Sequence, residues 1–71
     1  MSNQYDQYSM NIQYDPIDHI YVVTVPELPG CRTHGKTYEE AIKNALEVIE
    51  LWLEVAKQDG RPIPPPQKYV A

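Results

Sequence analysis

Tyr8, Met10, Ile12 and Tyr14 alternate with Ser9, Asn11 and Gln13. That period of two predicts a strand with one buried and one wet face. Asp15-Pro16-Ile17-Asp18 follows, where Asp and Pro favour a turn. His19-Ile20-Tyr21-Val22-Val23-Thr24-Val25 is β-branched or aromatic on both faces, as a central strand paired antiparallel to the first would be. Pro26-Glu27-Leu28-Pro29-Gly30 then interrupts the ladder. Neither proline can donate a backbone hydrogen bond, and Gly30 can take a positive φ. Cys31-Arg32-Thr33-His34 reads as a short third strand ended by Gly35.

The pattern then changes period. Thr37-Tyr38-Glu39-Glu40 has the form of a capping box, with Thr37 at the N-cap and Glu40 reaching back three residues later. At 100° per residue Tyr38, Ala41, Ile42, Ala45, Ile49, Trp52, Leu53 and Ala56 share one face, the expected core side. Glu39, Lys43, Glu47, Glu50 and Glu54 lie opposite, and Glu39–Lys43 has the favourable i,i+4 orientation. Asp59-Gly60 supplies a stop. Pro62-Ile63-Pro64-Pro65-Pro66 enforces an extended tail, and Gln67–Val70 reads as a short edge strand. The order is therefore β-β-β-α-β, an α+β class with a small antiparallel sheet packed on one helix. Val48, Leu51 and Val55 form a second apolar stripe beside the core face, with Leu51 among the glutamates. With Val48 and Val55 as margins of the core and Leu51 incidental, they would need no partner. As a stripe they suggest, with Glu47 and Glu54, a contact with another subunit or partner.

Length sets the next constraint. Seventy-one residues make one domain with a marginal core, here divided into an N-terminal arm or strand extension over 1–9 and the domain proper over 10–71. The one cysteine, Cys31, rules out an internal disulfide, and no His/Cys cluster has structural-zinc spacing. Self-association into a dimer or tetramer is the remaining remedy. The polar start Met1–Tyr8 has no signal-peptide core, and no apolar run spans a bilayer. A cytoplasmic protein without a membrane role is expected. A net charge of −4 without a basic stripe disfavours nucleic acid and favours a basic partner.

Candidate chemistry is sparse. Asp15, Asp18 and His19 share the first turn, where aspartates more often cap their own backbone than hold a metal. Cys31 and His34 lack the orienting group and pocket a nucleophilic pair requires. Cys31 reads instead as a small buried hydrophobe. Glu47, Glu50 and Glu54 form a wet face with nothing to push their pKa values apart. Gly30 and Gly35 do not build a phosphate loop. No catalysis, cofactor or metal is expected.

Val25-Pro26-Glu27-Leu28-Pro29-Gly30-Cys31, then Thr33, Gly35, Lys36-Thr37 and Glu39-Glu40-Ala41, resembles the HicB antitoxin family in order and spacing. Leu51-Trp52-Leu53 and Gly60-Arg61-Pro62-Ile63-Pro64 extend the resemblance from about Met10 to Pro66. It implies a partial RNase H-like fold and neutralisation of a HicA-like toxin, a small basic protein that cleaves mRNA. An orphan oligomeric scaffold or regulator without a toxin is the alternative. Many HicB proteins continue into a ribbon-helix-helix or helix-turn-helix domain. This sequence shows no such segment, so it resembles a short form for which direct DNA binding is not expected. Pro26, Leu28, Pro29, Gly30, Cys31, Gly35, Thr37 and Glu40 are expected to shape the loop and cap the helix.

Overall fold

The computed structural model describes residues 4–70. Strand β1 (Asn11–Asp15) pairs antiparallel with β2 (Ile20–Thr24), with Asn11 opposite Thr24 and Asp15 opposite Ile20. The hairpin is set by its own turn chemistry. Asp15 Oδ1 accepts from the Ile17 N–H at 2.9 Å and the Asp18 N–H at 3.4 Å, an Asx turn that uses the carboxylate as a local cap. His19 closes the turn at φ 56°, a left-handed conformation that histidine enters more readily than most residues.

Strand β3 (Arg32–Gly35) pairs antiparallel with the other side of β2, giving the order β1-β2-β3. The connecting loop folds onto itself: Leu28 N–H donates to Val25 C=O, Cys31 N–H to Leu28 C=O and Val25 N–H to Cys31 C=O, at 3.0–3.1 Å. Gly30 stands at φ 75°, where any other residue carries strain. The loop thereby turns Leu28 into the core.

Helix α1 (Tyr38–Asp59) starts where the capping pattern places it. Thr37 Oγ1 accepts from the Glu40 N–H at 3.0 Å, whereas the Glu40 carboxylate takes the N–H of Lys36 at 2.6 Å, one residue earlier than in a standard capping box. Replacing the cap by Thr37→Ala should cost about 1 kcal/mol, read as a lower urea midpoint with unchanged slope. At the other end Gly60 adopts φ 69°. Its N–H bonds Lys57 C=O and the Arg61 N–H bonds Ala56 C=O, closing the last carbonyls as in a Schellman motif.

The helix lies chiefly over β3 and β2. Ala41 and Ala45 meet Val23, and Ile49 packs with Tyr8, Val25, Leu28 and Cys31; Met10 touches both groups. Alanines in the first turns let the helix approach Gly35 closely, since a Cβ there would stand 2.4 Å from the Ala41 nitrogen.

Four sequence expectations change. Tyr14, which the alternation puts on the buried face of the first strand, is 51% exposed. Tyr38 is 56% exposed, because the first residue of the helix stands at the sheet margin and stacks on Tyr21 at 4.5 Å instead of entering the core; Ile42 beside it is also exposed. Glu39 and Lys43 form no ion pair; among the described residues the pair found is Arg61–Asp59 at 3.5 Å. Finally, Gln67–Val70 forms no strand. Three prolines precede it, and the Gln67 N–H is committed to the Glu27 carboxylate, not to a sheet edge. The α+β class stands, as a three-stranded antiparallel sheet covered on one face by one helix.

Candidate protein-binding surface

Val48, Leu51 and Val55 come together in a shallow groove of about 240 Å³, completed by Gly30, Cys31, Trp52, Ala56 and Arg61. The loop forms one wall and the second half of α1 the other. They are tied where the Trp52 indole N–H donates to Pro29 C=O at 3.1 Å. Val48 is half-buried against the core, while Leu51 is 63% and Val55 42% exposed. The stripe seen in sequence is therefore only partly core margin. Leu51 contributes little to the interior and stands as the apolar lip of the groove.

Glu47 and Glu54 do not line the groove. Helical spacing puts them just beyond Leu51 on the outward face with Glu50, and all of them are exposed. No cation lies within ion-pair distance of them among the described residues, so their charge is directed to solvent. A second aromatic area lies at the other end, where Tyr38 stacks on the half-buried Tyr21, Tyr14 meets Tyr21 at a tilt of 58°, and Tyr14 Oη meets His19 Nδ1 at 3.0 Å.

A family model for the HicB-like antitoxin of bacterial toxin-antitoxin systems matches residues 8–70. The chain belongs to the HicB-like antitoxin family. Among relatives, a UPF0150 protein of Thermoplasma acidophilum is 49% identical over 47 residues, covering 66% of this chain and 68% of that one. A UPF0150 protein of Thermotoga maritima is 43% identical over 56 residues, covering 79% of this chain and 75% of that one. One of Archaeoglobus fulgidus is 51% identical over 45 residues, covering 61% and 65% respectively.

In this HicB-like domain the motif residues take distinct positions. Pro26 and Pro29 are exposed on the loop, Leu28 and Cys31 are buried beneath it, and Gly35 lies under the helix start. Burial pushes the Cys31 thiol pKa up, away from nucleophilic thiolate character. His34 is exposed on β3 and forms no pair with Cys31. Among the described residues no three His, Cys, Asp or Glu side chains converge as metal ligands, and no helix is long and apolar enough to cross a membrane.

One residue of the HicB-like motif does more than loop shape suggested. Glu27 is 9% exposed, and its carboxylate accepts from the Ser9 N–H at 3.0 Å, the Ser9 hydroxyl at 2.9 Å and the Gln67 N–H at 2.9 Å. Burial alone would raise its pKa. The bonds from Gln67, Ser9 and its own backbone outweigh that and hold it below the ordinary glutamate value. Tyr8 adds a second tie, its hydroxyl donating to Pro64 C=O at 2.5 Å. The pKa of that phenol is raised by burial and by the Glu27 charge. The N-terminal segment, the loop and the tail thus meet at one anion. Sequence gave no signal for this, because two of the donors are backbone N–H groups.

Proposed function

We propose that this HicB-like domain binds and neutralises a small, basic, HicA-type mRNA-cleaving toxin, acting in the cytoplasm as an inhibitor and not as an enzyme. Membership of the antitoxin family supplies the partner class. The observation that carries the reading to a surface is the outward row Glu47, Glu50 and Glu54, exposed and in no ion pair among the described residues. Carboxylates left unpaired on a chain of net charge −4 attract a cationic protein and steer its approach. A toxin held by its basic RNA-binding surface is blocked from RNA by the same contact.

The test is a pull-down of the tagged chain from its native source, with mass spectrometry and an RNA-cleavage assay on the eluate. A small basic protein in fixed ratio, whose RNA cleavage this chain suppresses, is the expected result. Glu47→Lys with Glu54→Lys should weaken binding about tenfold or more, and the loss should shrink as salt rises. Recovery of the chain as a homo-oligomer alone would replace this reading with an orphan scaffold. Binding indifferent to salt and to both reversals would remove the electrostatic part.

A further inference from the structure

We propose that the sheet face turned away from the helix binds an aliphatic monocarboxylate, its head on Arg32 and His34 and its chain on Val22 and Ile20. The register assigns the residues of that face. Val23 meets Ala41 and Ala45 under α1, so its partners Ile12 and Thr33 share the helix side with Tyr14, Tyr21 and Gly35. The opposite face takes the alternate positions: Arg32 and His34 on β3, Ile20, Val22 and Thr24 on β2, and Asp15 at the end of β1. Cys31 and Gly35 are buried and carry the packing around β3, whereas Arg32 and His34 are exposed. Packing makes no demand on that pair.

Ile20, Val22, Arg32, Thr33 and His34 line an open hollow of about 330 Å³ on this face, the size of a small-molecule site. Val22 lies directly opposite His34, and Thr24 opposite Arg32. The half-buried Ile20 and Val22 form an apolar floor, and the polar pair stands along one rim. Two-residue spacing sets Arg32 and His34 about 7 Å apart at the backbone, so one carboxylate is within reach of both side chains. Ile20 follows Val22 at the same spacing along β2, so a chain laid from that head passes over both.

Charge selects the head and the floor selects the body. Arg32 forms no ion pair among the described residues. One guanidinium accepts one carboxylate in a bidentate pair, and a ring N–H of His34 can add a further bond. With a single guanidinium in the lining, a monoanion is matched and a phosphate dianion is not. Asp15, the carboxylate of this face, stands about 12 Å from His34 and about 16 Å from Arg32 by strand spacing and rise, beyond the screening length of about 8 Å. Its Oδ1 already accepts from Ile17 and Asp18. Glu40 belongs to the helix side, where its carboxylate takes the Lys36 N–H. The row Glu47, Glu50 and Glu54 points outward from α1, with the helix and the sheet between it and the hollow. Tyr14 and Tyr21 stand on the helix side, so the hollow offers no ring on which a nucleobase could stack. Val22 and Ile20 instead accept an aliphatic chain. The site is remote from the glutamate row, so the inference stands independently of toxin binding.

The proposal is tested by NMR titration of the full, isotope-labelled chain with butanoate, hexanoate and octanoate at constant ionic strength. Saturable shifts are expected at the Arg32 Nε–H, the His34 ring and the Val22 and Ile20 methyls, with a dissociation constant for octanoate of about 1 mM. Full burial of a methylene tightens binding about fourfold, and contact on one side about twofold. Affinity should therefore rise about twofold per added methylene until the chain passes Ile20. Hexyl phosphate should bind no more tightly than hexanoate. Arg32→Gln should weaken octanoate about tenfold or more. Val22→Thr keeps the branched shape and should flatten the dependence on chain length. Both positions lie outside the buried clusters, so the fold is retained. No saturable shift at about thirty times the expected dissociation constant overturns the proposal. So does an affinity that ignores chain length or Arg32, tighter binding of the phosphate, or shifts centred on the groove beside Leu51.

Discussion

Gly35→Ala should unfold a large part of the population or lower the melting temperature by about 12–24 °C, for a loss of about 3 kcal/mol or more. The reason is contact, not conformation. A Cβ at Gly35 would lie 2.4 Å from the Ala41 nitrogen, 2.7 Å from its Cα and 2.8 Å from the Glu40 carbonyl carbon. All three are backbone atoms of the first turn of α1, so no side chain can swing aside. The helix must lift from β3, taking Ala41 and Ala45 off Val23, where all three are now buried. Against a total stability of roughly 4–10 kcal/mol for a domain of this length, that is a large fraction. Gly30→Ala is the control. It meets nothing within 4 Å and pays only for a left-handed backbone at φ 75°, about 1 kcal/mol. Thermal melts of the two proteins decide the matter: equal losses at both sites would show that close packing at Gly35 is not what holds the helix down.

That contrast also shows what sequence can report. Gly30 and Gly35 both read as punctuation around a short strand, and nothing in the letters separates a glycine needed for its φ from one needed for its missing side chain. Periodicity served better where a single face meets a single layer. The alternation through Ile12 and the 3.6-residue recurrence of Ala41, Ala45 and Ile49 placed strand and helix faces correctly. It failed for Tyr38, because a helical wheel knows the angle of a residue but not whether a sheet lies beneath that turn. Leu51 was visible as an apolar residue out of place. Its neighbours in the groove, Gly30 and Arg61, come from segments that only the fold brings together. The tail was misread for a related reason. Gln67–Val70 has strand-like composition, but its first N–H is taken by a carboxylate 40 residues earlier in the chain.

That carboxylate gives the second large effect. Glu27→Gln should destabilise the domain by about 1.5–3 kcal/mol, because a neutral, nearly isosteric amide replaces an anion that accepts from several donors at once. The amide oxygen can still accept from some of them, but the amide NH2 then faces further N–H groups instead of receiving them. Acid should produce the same loss in the unmodified protein. The folded pKa of Glu27 is held below its ordinary value of 4.5, so the unfolded chain takes up the proton first as pH falls. The stabilisation is fully present above the ordinary value, declines below it, and is gone once pH has passed the folded value. Urea titrations of both proteins from neutral pH to pH 3 would separate this group from the other carboxylates. The wild type should lose more stability than Glu27→Gln over that range, with the gap between them closing in acid. Parallel curves would mean that the Glu27 anion does not hold Ser9 and Gln67 with net benefit. The consequence extends to the surface, since the tail tied at Gln67 and Pro64 begins at Arg61, which lines the groove. Loss of the anion should therefore raise hydrogen exchange first at Ser9 and Gln67, before the helix amides near Ile49 respond.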